Sequence, residues 1–510
     1  MDMDMEYWSL KGYSPRQEQV KVIDGISDAM DLNYQNIILE AGTGVGKSAI
    51  ATTVANMVKD SFILTMTNQL QTQYLNDFKY MLTEVKGRNN YPCNFGGYCD
   101  KCQMENENYE SKCSDCEYLM ALRDAQESRC VISNYDYLFY SGNYANQWDT
   151  RDLIILDEAH NFENKVMSLV SENLNRYIIF ERYGFDIFEH VAKRGALKDI
   201  NNNEYWINIV EKCIEKEQQV SICTISDEKK QKSNLEKYRR ILRRLLTDEY
   251  IIELPLRKDI LTDKDKDNRL KVEFKPLTGE KDADKLLKYG NTRLFLTGTL
   301  GDADKFCEWN GLNRDETLHM YIKSPFPVEN RPIIRKYVCS MKQEAWKNPH
   351  IIKYINRIIQ AHQGEKGVIH TSSNQQAWWI KKFLNSKKVW VAQGQSREAT
   401  IKSFEESSYP ITLVGAGLKD GVDFKGDKCR YQILFKVPFP SLGSQQVTIR
   451  RRIDPSWYAY QTVMALMQSY GRGIRDMTDY CKYYILDEDF ERLIHEYKNL
   501  FNEYFLEAIQ

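Results

Sequence analysis

Two kinds of hydrophobic pattern run along the chain. One is the short unbroken apolar run: Ile37-Ile38-Leu39, Leu153-Ile154-Ile155-Leu156, and the centres of "GVIHTSS" (367–373) and "ITLVGAG" (411–417). Such runs predict strands, and the run at 153–156 predicts one buried on both faces in a parallel sheet. The other pattern recurs every three or four residues. It follows the first run in "SAIATTVANMV" (48–58) and returns at Leu235, Tyr238, Leu242 and Leu245, in a stretch rich in Glu, Lys and Arg. That spacing predicts amphipathic helices. Strand and helix signals in both halves of the chain predict an α/β protein.

Length changes this picture from one domain to several. At 510 residues the chain exceeds the size at which a single core keeps growing, so about two to four domains are expected. A net charge of −2 gives no global attraction to a polyanion, which leaves local basic clusters such as "KYRRILRR" (237–244) and "TIRRRIDP" (448–455). No apolar run approaches the roughly 20 residues of a membrane-spanning helix. The N-terminal "MDMDMEYW" is acidic, unlike a secretory signal. A cytoplasmic, nucleoid-associated protein with no membrane partner is expected.

The first strand runs into "AGTGVGKS" (41–48). A strand, a glycine-rich turn and a helix make the setting of a phosphate-binding loop. In Ala41-Gly42-Thr43-Gly44-Val45-Gly46 the three glycines let backbone N–H groups point at phosphate oxygens. Lys47 supplies a cation to the outer phosphates of ATP, and Ser48 a hydroxyl for Mg²⁺. Ala41 stands where the strict pattern has its first glycine.

"DLIILDEAH" (152–160) supplies the complementary half. Asp157 follows a buried strand, where ligands bind in open α/β sheets. It is expected to hold Mg²⁺, with Glu158 orienting and deprotonating the attacking water. His160 is expected to contact another lobe. Upstream, Gln19 in "YSPRQEQ" (13–19) has an amide suited to the N6 and N7 edges of adenine, with Arg16 in support.

Five of the twelve cysteines fall between 93 and 116: Cys93, Cys99, Cys102, Cys113 and Cys116. By spacing alone, the two C-x-x-C pairs suit tetrahedral Zn²⁺ and leave Cys93 over.

Taken together, "AGTGVGKS" and "DEAH" resemble a superfamily 2 helicase. "LFLTGTL" (294–300), "LVGAGLKDGVDFKGDKCRYQILFKVPFP" (413–440) and "QSYGRGIRD" (468–476) resemble its motifs III, V and VI, and "TMTNQLQTQ" (65–73) its motif Ia. "KGRNNYPC" (86–93) and "CEY" (116–118) resemble the XPD/DinG-type DNA helicases. The resemblance implies two RecA-like parallel-sheet motor lobes, the first carrying an iron–sulfur insertion and a helical arch-like insertion. It implies a [4Fe–4S] cluster held by four of the five cysteines, Cys93 and Cys116 being the outermost ligands, in place of Zn²⁺. It places Gln468, Arg472 and Arg475 on the nucleotide side of motif VI, and the i, i+3 spacing of the two arginines puts them on one helical face. Gly421 and Asp423 fall at the motif V positions that couple ATP to the DNA track. Thr67 and Gln69 are candidate phosphate contacts. Trp378, Trp379, Tyr135, Tyr137 and Phe139 are candidates for base stacking, and Cys130 for a buried apolar position.

The domains expected are a first lobe over 1–86, 131–164 and 270–325, an iron–sulfur insertion over 87–130, an arch-like insertion over 165–269 and a second lobe over 326–510. The activity implied is ATP-driven 5′→3′ movement on single-stranded DNA with unwinding at duplex junctions, by a monomer. A single-strand translocase or remodeller without productive unwinding would carry the same motifs. A zinc-ribbon nucleic-acid-binding protein with a degenerate nucleotide site is the alternative from another class.

Overall fold

The structure is a computed structural model, and it describes residues 8–9, 14–42, 44–94, 96–101, 116–189, 202–255, 260, 270–418, 424, 426–474 and 476–510. Numbered along the chain, the strands fall into three sheets. The first is all-parallel and contains β1 (Asn36–Ala41), β2 (Ser61–Thr65), β3 (Thr83–Glu84), β4 (Cys130–Asn134), β5 (Arg151–Leu156), β9 (Gly290–Thr297) and β10 (Thr317–Ile322). Their order is β10-β1-β9-β5-β2-β4-β3. The unbroken apolar runs have a direct cause here, because each strand feeds two cores. Ile38, Phe62, Leu64, Ile154 and Leu156 enter one, and Ile37, Leu39, Ile63, Leu153 and Ile155 enter the other.

A second all-parallel sheet, in the order β11-β16-β15-β12-β14-β13, lies in the C-terminal part. Its strands are β11 (Ile333–Cys339), β12 (Gly367–Thr371), β13 (Val389–Val391), β14 (Thr412–Ala416), β15 (Tyr431–Leu434) and β16 (Lys482–Asp487). The same alternation feeds Ile369, Val414 and Ile433 into one core and Val368 and Leu413 into another. The fold is therefore α/β with two RecA-like lobes, as the resemblance implies.

Between β5 and β9 the chain leaves the first sheet and builds a body with its own core around Trp206, Phe188, Val210 and Phe274. Helix Ile225–Leu246 carries the spacing of Leu235, Tyr238, Leu242 and Leu245, and helices Arg176–Tyr183 and Asn203–Gln218 accompany it. The body also holds an antiparallel sheet, β6 (Glu172–Asn175), β8 (Lys271–Pro276) and β7 (Tyr250–Glu253), which that spacing does not announce. These strands are four to six residues long, and charged residues such as Lys271, Glu273 and Lys275 occupy the solvent side of β8. So short an alternation is hard to tell from a helical one.

Candidate active site

In the first sheet β9 lies between β1 and β5, so the carboxyl ends of three parallel strands deliver the candidate residues to one place. The loop after β1 needs its glycines. Gly44 and Gly46 sit in the left-handed region at φ 83° and 87°. A Cβ on Gly44 would meet the Phe326 ring at 2.1 Å, and one on Gly42 would meet Ser324 at 2.8 Å. Helix Lys47–Met57 starts directly after, and the Lys47 Nζ donates to the Ala41 carbonyl at 3.3 Å. Gln19 is buried, with its Nε2 donating to Val45 O at 2.7 Å and its Oε1 accepting from Arg16 N at 2.8 Å. Arg16 Nη2 donates to Gly44 O at 2.8 Å. Both residues thus brace the loop, and the Gln19 amide expected to face adenine is engaged at both ends by protein. Thr43 lies outside the described residues.

Asp157 follows β5 and is 6% exposed. Its Oδ1 accepts from Glu158 N at 2.9 Å and its Oδ2 from the Tyr74 hydroxyl at 3.2 Å. Burial and then the Glu158 carboxylate push its carboxyl up to about 7, against the pull of Lys47. Glu158 itself adopts φ 54°, a left-handed conformation uncommon for a residue with a Cβ and a recurrent sign of a functional turn.

His160 is buried at the meeting point of the lobes. Its Nδ1 lies 3.0 Å from Thr297 Oγ1, at the end of β9, and 3.5 Å from Glu158 Oε2. Two amide nitrogens face its Nε2, Asn161 Nδ2 at 2.8 Å and Gln468 Nε2 from the second lobe. An amide N–H only donates, so Nε2 accepts and Nδ1–H donates to Thr297. One imidazole therefore joins the carboxylate strand, the strand beside it and the opposite lobe. The sequence pointed to His160 and Gln468 but not to Thr297, whose signal was its place at the end of the strand in "LFLTGTL".

Comparison with known proteins finds likenesses to helicase domains and structures. Residues 355–507 match the model of the Helicase C-terminal domain, and residues 12–181 match that of the type III restriction enzyme res subunit. The structure named XPD_Helicase superposes over 96% of this chain and 98% of its own, with TM-score 0.66 at 15% identity. The chain thus matches a helicase C-terminal domain over residues 355–507 and shares, along nearly its whole length, the fold of that XPD structure. Another structure of the fold, Xpd4 of S. tokodaii, covers 97% of this chain and 99% of its own, with TM-score 0.58 at 16% identity. Among curated proteins, the ATP-dependent DNA helicase CHL1 of Saccharomyces cerevisiae (strain YJM789) is 27% identical over 16% of this chain and 12% of its own length. The ATP-dependent DNA helicase YoaA of Haemophilus influenzae is 23% identical over 36% of this chain and 31% of its own length. The match thus spans less than a third of either relative.

Against that family pattern, motif VI departs from the expected helix. Helix Pro455–Tyr470 carries Gln468 but stops at Gly471, so Arg472 lies in a turn beyond it rather than on a helical face shared with Arg475. Beyond the helix the chain packs closely on the second lobe, since a Cβ on Gly473 would come within 2.5 Å of Cys481 Sγ. Arg475, Gly421 and Asp423 lie outside the described residues.

Of the five cysteines that resemble the family's iron–sulfur ligands, Cys102 and Cys113 lie outside the described residues. Cys99 and Cys116 are buried with their Sγ atoms 3.8 Å apart, and Cys93 packs against the same apolar cluster. Burial, then the Cys116 and Cys93 thiols, push the Cys99 thiol up to about 12. Among the described residues no group of three or more His, Cys, Asp or Glu side chains has metal-holding geometry.

The candidate nucleic-acid contacts divide by exposure. Tyr135, Tyr137 and Phe139 are buried in the core of the first lobe and cannot stack bases as they stand. Trp379 packs on Trp346 at 5.7 Å, whereas Trp378 is 51% exposed. Thr67 caps the helix Asn68–Phe78 by accepting from Leu70 N at 3.3 Å, and Gln69 is exposed. Cys130 is buried, as expected. No described helix is long and apolar enough to cross a membrane.

Proposed function

We propose that this chain is an ATP-dependent DNA helicase that moves 5′→3′ along single-stranded DNA and opens duplexes at junctions, as a monomer. The observation that carries the reading is the contact of His160 with Gln468, which ties the carboxylates to the second lobe. A motor of this kind needs ATP hydrolysis to change how two lobes sit together, and lobes that grip a strand differently in two states ratchet it. In this reading Lys47 and the loop 41–46 hold the phosphates, and Ser48 and Asp157 hold Mg²⁺. Magnesium ion supplies charge neutralisation at the phosphate oxygens. Glu158 orients and deprotonates water, while Arg472 and Arg475 meet the phosphates from the second lobe. Gly421 and Asp423 link that site to the DNA track. Four of Cys93, Cys99, Cys102, Cys113 and Cys116 would hold a [4Fe–4S] cluster, whose thiolate ligation pins a segment too short to bury a core. The pairing of Cys99 with Cys116 supports this donor set.

The test is ATP hydrolysis with and without single-stranded DNA, followed by unwinding of duplexes with 5′ or 3′ tails. Wild-type protein is expected to be stimulated by DNA and to open 5′-tailed duplexes, while Lys47→Ala is inactive. A wild-type rate no higher than that of Lys47→Ala would overturn the reading. Displacement of a bound protein without strand separation would turn it into a translocase.

A further inference from the structure

The Tyr74 side chain is 3% exposed, and its ring lies beside Phe78 at 6.3 Å. Its hydroxyl donates to Asp157 Oδ2 at 3.2 Å. A buried hydroxyl needs partners, but a main-chain carbonyl would serve. Tyr135 and Tyr250 use Asp157 O and Val170 O in that way. Tyr74 instead donates to a carboxylate assigned to the cation.

Tyr74 comes from the helix after β2, a strand that pairs with β5. With Oδ1 held by Glu158 N–H and Oδ2 by Tyr74, the plane of the Asp157 carboxylate is set before any cation arrives. Groups that orient metal ligands in this way govern affinity without touching the metal.

We propose that the Tyr74 hydroxyl is a positioning group that holds the Asp157 carboxylate in the orientation in which it takes nucleotide-bound Mg²⁺. The inference rests on the nucleotide site proposed above.

The experiment is calorimetric binding of ADP at stepped Mg²⁺ concentrations, which requires no turnover. Tyr74→Phe keeps the ring and removes only the hydroxyl. Its Mg²⁺ midpoint is expected to rise about 10-fold, with thermal unfolding close to wild type. Tyr135→Phe is the control, because it removes a buried hydroxyl from the Asp157 carbonyl and leaves the carboxylate contacts in place. Its midpoint is expected to stay within about 2-fold of wild type. An unchanged midpoint in Tyr74→Phe, or equal shifts in both variants, would overturn the positioning role. A wild-type chain without Mg²⁺-dependent ADP binding would instead overturn the nucleotide site, and this inference with it.

Discussion

Glu163 and Arg450 form an ion pair buried on both sides, Oε1 to Nη2 at 2.7 Å, that joins the first lobe to the second three residues beyond His160. The other Glu163 oxygen accepts from Trp457 Nε1 at 2.8 Å, and Arg450 Nη1 donates to Leu277 O at 2.8 Å. Removing one member leaves a buried charge without its partner, which costs about 3–5 kcal/mol. Glu163→Ala is therefore expected to lower unfolding free energy by that order in denaturant melts. An apolar pair, Glu163→Leu with Arg450→Met, should recover most of the loss. A single variant as stable as wild type would show that the lobes do not depend on this pair.

Gln468 reaches His160 from the second lobe. Gln468→Ala takes away this link and leaves the phosphate loop intact. Nucleotide affinity should stay near wild type, while stimulation of hydrolysis by single-stranded DNA falls on the order of 10-fold. Phosphate-release assays across a DNA titration read both. Equal stimulation in the two proteins would place the coupling elsewhere.

For the cysteine segment, anaerobic purification should give a coloured wild-type protein containing iron and sulfide. Cys93→Ser is expected to lose the visible absorption and the unwinding while keeping much of the basal hydrolysis. A colourless wild-type protein with one equivalent of zinc would refute the cluster.

His370 lies one residue before the end of β12 and is buried, with Nε2 against Gln432 Oε1 at 2.8 Å. Burial, with Arg472 nearby, depresses its pKa from 6.5 to about 4 against the pull of Gln432. The unfolded chain binds this proton at higher pH than the folded one. The stabilising contribution is thus complete above pH 6.5 and is lost as pH falls toward about 4, by roughly 3 kcal/mol in all. Stability measured over that window should fall less steeply in His370→Gln. Parallel curves for the two proteins would count against a neutral buried imidazole.

Legibility followed the distance between partners. The phosphate loop was readable because strand, glycines, Lys47 and helix are contiguous, and their backbone geometry follows from neighbours a few residues away. Gln19 was singled out, but its use as a brace on Val45 O was not, since 26 residues and a fold separate the two. Placing Arg472 and Arg475 on one helical face rested on spacing alone, and the helix ends at Tyr470, ahead of Arg472. Tyr74 carried no sign at all, being one aromatic among the buried positions of its helix.

By itself, then, the sequence determined the chemistry of each strand end: glycines and a lysine after β1, two carboxylates after β5, a glutamine near the end of a late helix. Only the tertiary structure decided which of them meet. The order β1-β9-β5 sets Thr297 beside His160, and lobe packing brings Gln468 to the same ring across 308 residues. Local pattern encodes backbone conformation and which face is buried. Strand order and lobe contact arise from burying those faces against one another, and that is a property of the whole chain.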